Sequence, residues 1–211
     1  MSTDGLRLDP DRAAAFESCI RSGGVALFPA DTVYGLACDP LDAAACDRLN
    51  ELKQRPPGKP AAVMFFALDQ ALGRLDGLSP RLRAALARLL PGPLTALVPN
   101  PSGLFPLAGP PGTDRLGVRV PALSPALEPL AGVAVPVLQS SANRSGGAEP
   151  RRLVDVDPAV RAGVDLALDG GELPGHASTV LDLTRMDEDG SFEILRRGPL
   201  SAADVRRALA G

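Results

Sequence analysis

Val133-Ala134-Val135-Pro136-Val137-Leu138-Gln139-Ser140-Ser141-Ala142-Asn143-Arg144-Ser145-Gly146-Gly147 passes from apolar to polar within a few residues. Its first part, Val133 to Leu138, reads as an apolar strand, and hydroxyls, an amide and glycines follow directly. Open α/β sheets place ligands at the carboxyl ends of their strands, which is where this reading puts Ser140, Ser141 and Asn143. The short side chains and Gly146-Gly147 permit backbone amides to approach an anion closely. A turn that satisfies its own backbone accounts for the same residues, so this segment needs a partner elsewhere.

That partner is Lys53-Gln54-Arg55-Pro56, with Lys59 close behind. Three cations stand together at a predicted helix end, where Pro56 restricts Arg55 and Gly58 lets the chain turn back, so their side chains can converge on one polyphosphate. Basic residues also suit the negative end of a helix, and that alternative stays open for the cluster alone. Taken together, the two clusters point to a nucleotide-using enzyme.

Outward from these clusters, helices are predicted from Asp9-Pro10 to about Arg21, from Ala43 to about Gln54 with Pro56-Pro57 as its stop, from Ser79-Pro80 to Leu90, and from Ser201 onward. Strands are predicted at Val25–Phe28, Val33–Ala37, Ala61–Phe66, Leu94–Pro99, Leu116–Val120, Val133–Leu138, Val164–Leu168, Ser178–Leu183 and Phe192–Leu195. This alternation predicts an α/β fold, a layered sheet covered by helices. The glycine- and proline-rich stretch from Asn100 to Arg115 reads as a long loop suited to a lid or a rim.

With 211 residues, 45% of them hydrophobic, the chain suits a single domain, expected to span residues 1–211. A net charge of -3 and 3% aromatic residues leave little for general nucleic-acid binding or base stacking. Cys19, Cys38 and Cys46 lack metal-binding spacing and read as buried free thiols of a reducing cytosol. The segment from Met1 to Arg12 has no apolar signal core, and no run reaches the roughly 18 apolar residues of a membrane span, so a cytoplasmic protein without membrane contact is expected.

Arg119 sits in a strand pattern that groups it with Gly117 and Pro121, small neighbours that leave room for a carboxylate or phosphate; a solvent-facing arginine fits the pattern too. Thr32, Thr95, Ser178 and Arg196 each fall at a strand edge. The single histidine, His176, excludes a two-histidine metal site, and no metal site is expected in the protein itself. Neither GxxxxGK[ST] nor GxGxxG is present, so a P-loop or Rossmann cradle is excluded.

Phe28-Pro29-Ala30-Asp31-Thr32-Val33-Tyr34-Gly35-Leu36, Lys53-Gln54-Arg55-Pro56, Pro91-Gly92-Pro93-Leu94-Thr95, Val118-Arg119-Val120-Pro121, Ser140-Ser141-Ala142-Asn143-Arg144-Ser145-Gly146, Ser178-Thr179-Val180-Leu181-Asp182-Leu183 and Leu195-Arg196-Arg197-Gly198 resemble, in order, the motifs of the YrdC-like family. Ala30 and Gln139-Ser140 depart from the family's usual residues beside those motifs. The resemblance implies one twisted mixed sheet flanked by helices and the activity of a threonylcarbamoyl-AMP synthase. That is a nucleotidyltransferase joining L-threonine, bicarbonate and ATP for the threonylcarbamoyl modification of tRNA adenosine 37.

The resemblance further implies that Lys53 and Arg55 are catalytic and hold ATP with Thr95, Ser141, Asn143 and Arg196, while Thr32, Lys59, Arg119 and Ser178 hold threonine. Magnesium is expected as a cofactor bound through the ATP phosphates, and a threonylcarbamoyl transferase complex as the downstream partner. Two other readings remain: a double-stranded-RNA-binding relative without synthase activity, making weak RNA contacts, and a carbamoyl-adenylate-forming enzyme.

Overall fold

The computed structural model describes residues 7–56 and 58–210. Parts of two expectations, the helix stop at Pro57 and the reading of residues 1–6, lie outside the described residues.

Local chemistry sets the helix starts. Helix α1 (Pro10–Arg21) begins where the Asp9 carboxylate accepts the Arg12 N–H at 2.8 Å and Pro10 fills the first turn. Asp42 caps α2 (Ala43–Leu52) and Ser79-Pro80 starts α4 (Pro80–Leu89) in the same way. Helix α3 (Leu68–Arg74) was not legible in the sequence, because Ala67 offers no capping side chain. Nor was α5 (Pro158–Gly163), a six-residue helix too short to show periodicity. Helix α6 (Ala202–Ala210) ends the described chain.

The strands are β1 (Ala26–Pro29), β2 (Tyr34–Cys38), β3 (Ala62–Met64), β4 (Leu94–Pro99), β5 (Arg115–Arg119), β6 (Val137–Ser141), β7 (Leu166–Ala167), β8 (Thr179–Asp182) and β9 (Glu193–Arg196). They form one sheet in the order β7-β1-β2-β6-β3-β5-β4-β8-β9. Three pairs, β1 with β7, β3 with β5 and β4 with β8, are parallel and the rest antiparallel, so the sheet is mixed, as expected. Phe16 of α1 meets Phe28 of β1 at 5.1 Å between ring centroids and Phe66, just past β3, at 5.6 Å. These contacts hold the first helix on the core.

The decisive strand lies further along the chain than its apolar pattern suggested. Residues Glu128–Gly132 form a short 3-10 helix, the Ala134 N–H is taken by Glu17 at 2.9 Å, and Pro136 has no N–H to give. Pairing therefore starts at Val137 and runs through both serines, with Leu36 opposite Ser140 and Gly35 opposite Ser141. Ser140 and Ser141 thus belong to the strand, and Asn143 lies just beyond it.

Gly198 follows β9 and presses on the start of β8. A Cβ there would lie 2.5 Å from the Ala177 carbonyl oxygen and 2.6 Å from the Ser178 carbonyl carbon. Gly198→Ala is expected to cost about 1–3 kcal/mol through overpacking. The check is the urea midpoint, which falls if the backbone resists and stays put if it yields.

Candidate active site

One cavity of about 330 Å³ opens over the middle of the sheet. It exists because small residues share a row on one sheet face: Ala62 of β3 stands opposite both Gln139 of β6 and Gly117 of β5, and Gly117 stands opposite Leu97 of β4. Arg119 lies two residues beyond Gly117 and so shares its face, as the alternation predicted. A neighbouring row carries Thr95, Val180 and Arg196 on β4, β8 and β9. Nine of the ten residues singled out for the site line this cavity: Lys53, Arg55, Lys59, Thr95, Arg119, Ser141, Asn143, Ser178 and Arg196. The tenth, Thr32, is buried beside it, 3.4 Å from an Arg119 nitrogen.

The two polar clusters meet through Lys53. Helix α2 ends as Gln54 turns left-handed at φ 49°, a conformation that costs most side chains energy, and Gly58 turns again at φ 74°. From the C-cap of the helix, just before that turn, the Lys53 ammonium donates to the Ser141 carbonyl and, at 2.7 Å, to the Asn143 carbonyl. The Lys53 carbonyl in turn accepts the Ser145 N–H at 2.9 Å. Lys53 is only 3% exposed. Burial, then the like charges of Arg55 and Lys59, push it down to about 7, with Glu149 pulling the other way.

Arg55 donates to the Ser140 hydroxyl at 2.6 Å and to the carbonyls of Lys59 and Pro60, closing the turn that Gly58 allows. Burial lowers its pKa as well. Lys59 is exposed and reaches the Ser145 hydroxyl at 3.4 Å. Asn143 accepts from the Ser141 hydroxyl at 2.5 Å and donates to the carbonyls of Arg144 and Gly147, so its side chain shapes the loop it stands on.

Arg119 is no solvent-facing arginine: it is 4% exposed. It pairs with Asp31 at 2.7 Å and donates to the Gln139 side-chain oxygen at 3.2 Å, while its Nε is buried without a partner. Burial lowers the guanidinium pKa against the pull of Asp31 and raises that of the Asp31 carboxyl against the pull of Arg119. The guanidinium stays charged regardless, and a charged donor group lining the cavity suits a carboxylate ligand. Arg196 donates to the Ser178 carbonyl at 2.9 Å and to its hydroxyl at 3.2 Å, and that hydroxyl lies 3.1 Å from Thr95.

Sequence reasoning missed Asp31, Gln139 and Glu149. A strand arginine that is buried demands an acid, but only the fold shows which one. In the sequence Gln139 stands out only as a departure from a family pattern; in the fold its amide lies over Gly35, where a Cβ would come within 2.6 Å of Nε2. His176 is exposed on the segment before β8 and lines no part of the cavity.

The long loop is no cover over the site either. Phe105 and Ala108 are buried, Phe105 packs on Phe65 with ring centroids 6.1 Å apart, and the Ala108 carbonyl takes the Ala61 N–H at 2.8 Å. No residue of the loop lines the cavity. Among the described residues, no group of three or more His, Cys, Asp or Glu side chains could hold a metal, and no helix is long and apolar enough to cross a membrane. Cys38 and Cys46 are buried free thiols 3.8 Å apart at sulfur, whereas Cys19 is only half-buried.

Residues 18–198 match the family model Sua5/YciO/YrdC, described as telomere recombination. The chain belongs to this family. A threonylcarbamoyl-AMP synthase from Chromohalobacter salexigens is 38% identical over 89% of the chain and 97% of its own length. One from Pyrococcus abyssi is 31% identical over 90% of the chain, which spans only 55% of that relative. P. abyssi Sua5 complexed with L-threonine superposes with a TM-score of 0.80 at 28% identity, covering 96% of this chain and 58% of that one. E. coli YciO shares the fold, with a TM-score of 0.76 at 23% identity over 95% of this chain and 96% of its own.

In this Sua5/YciO/YrdC chain the buried pair and the buried lysine make separate predictions. Asp31→Asn leaves Arg119 without its counter-charge and is expected to cost about 3–5 kcal/mol, read from urea unfolding. The folded Lys53 value of about 7 lies below its ordinary 10.5, so between them the unfolded chain holds more protons and stability rises with pH. Between about pH 7 and pH 9 the native chain should gain more stability than Lys53→Met. Equal gains would contradict the burial of a titrating ammonium.

Proposed function

We propose that the chain is a threonylcarbamoyl-AMP synthase, converting L-threonine, bicarbonate and ATP to threonylcarbamoyl-adenylate and pyrophosphate. The observation that carries this reading is the gathering of five cations, Lys53, Arg55, Lys59, Arg119 and Arg196, on one cavity whose wall, among the described residues, has no histidine or cysteine. Such a site neutralises and positions phosphates rather than supplying a nucleophile.

Lys53, Arg55 and Arg196, with Thr95, Ser141 and the loop shaped by Asn143, hold the triphosphate and nucleoside. Arg119 takes the threonine carboxylate, with Thr32 behind it and Ser178 and Lys59 completing that subsite. The threonine amine and bicarbonate condense to a carbamate with loss of water, and a carbamate oxygen attacks the α-phosphorus as the bond to the pyrophosphate oxygen breaks. Lys53 and Arg55 then balance the charge that collects on the leaving pyrophosphate.

The wall suits magnesium carried on the phosphates and completed by water, since it offers a single carboxylate, Glu149, rather than a cage of oxygen ligands. Bound there, magnesium supplies further charge neutralisation. On this reading the enzyme is a nucleotidyltransferase of the cytoplasm, and a transferase that modifies tRNA adenosine consumes its labile product.

The test is pyrophosphate release with ATP and magnesium, omitting threonine or bicarbonate in turn, with mass detection of the adenylate. Release is expected only with both co-substrates; a folded but silent protein would overturn the reading. Lys53→Ala and Arg55→Ala should mainly weaken ATP use, whereas Arg119→Lys should mainly raise the threonine KM. Loss of one charged hydrogen bond, about 1.5–3 kcal/mol, corresponds to roughly tenfold or more.

A further inference from the structure

Among the described residues Glu149 is the one acid on the cavity wall, which also carries five cations, and no sequence motif marked it. The loop that carries it leaves and rejoins β2 at a single residue. The Ala142 N–H donates to the Tyr34 carbonyl at 2.8 Å and the Tyr34 N–H donates to the Pro150 carbonyl at 3.0 Å. Asn143 staples the interior of that loop, so Glu149 is held at the cavity by its neighbours' backbone. Its side chain is half-buried and, among the described residues, makes no ion pair or hydrogen bond. It lines the same cavity as Lys53 and Arg119.

A carboxylate in a cavity built for polyanions opposes phosphate binding. That cost is offset if a cationic ligand group arrives beside it. An α-amino acid brings such a group one carbon away from its carboxylate. Arg119 supplies the positive partner for the carboxylate, and Glu149 is the only wall residue able to supply the negative partner for the ammonium. Magnesium is the poorer match, because it favours several oxygen ligands at close range and no second acid lines the cavity.

We propose that Glu149 binds the α-ammonium group of the amino-acid substrate, so that Arg119 and Glu149 together select a zwitterion and set the orientation of its nitrogen. This rests on the synthase reading above. It makes Glu149 a specificity residue for the amino group, separate from the phosphate-binding cations.

The test is calorimetric titration of the native protein, Glu149→Gln and Glu149→Ala with L-threonine and with 2,3-dihydroxybutanoate, which keeps the carboxylate and hydroxyl and lacks the amine. Melting curves confirm that each variant folds. Glu149→Gln is expected to weaken threonine binding roughly tenfold or more, the loss of a charge-assisted hydrogen bond, and to leave the deaminated analogue unchanged or tighter. Unaltered threonine binding would overturn the proposal, as would equal weakening of both ligands. A loss confined to magnesium-ATP would overturn it in favour of a metal role. A native protein that binds ATP but no threonine would overturn the synthase reading itself, a result distinguishable because it precedes any substitution.

Discussion

The buried Lys53 ammonium holds this site together. Its bonds to the carbonyls of Ser141 and Asn143 join segments 88 and 90 residues apart, and its own carbonyl takes the Ser145 amide. Arg55 depends on the same turn for its approach to Ser140, and Lys59 for its approach to Ser145. Without the left-handed step at Gln54 the helix would carry these cations away from the sheet. A strained backbone residue at a functional turn is the usual sign that surrounding contacts over-determine its conformation.

Around that clasp the sheet does two jobs with one face. The row Gln139, Ala62, Gly117 and Leu97 leaves space in the middle, and Arg119 on β5 and Arg196 on β9 bring charge to it. Space and charge come from the same period-two alternation, so a one-residue slip of β5 would turn Arg119 away from the cavity. The Asp31 carboxylate guards that arrangement, because it fixes one edge of the guanidinium. Gln139 holds the other edge, which gives a physical role to a residue that departs from the pattern the family motif suggests.

The predominance of cations over acids also sets the character of the site. Polyphosphate recognition by convergent cations and by a Lys-anchored loop needs no glycine-rich P-loop. The long segment before β5, an attractive lid by composition, instead packs Phe105 into the core and lends a carbonyl to Ala61.

The sequence by itself determined the α/β character, the capped helices α1, α2 and α4, and most strands, because caps, prolines and apolar periodicity act over a few residues. It also marked nearly all the cavity's charged and hydroxyl-bearing residues, since the ordered motifs retain those residue types. It did not reveal α3 and α5, which lack a cap or the length to show a period, or the shift of β6, which depends on where Glu17 and Pro136 end one backbone path. Only the tertiary structure decided that Asp31 pairs with Arg119, that Gln139 supports it, and that Glu149 joins the wall. Those partners come from distant turns and strand ends, and the pairing of two buried charges is a property of their distance in space, which sequence spacing does not encode.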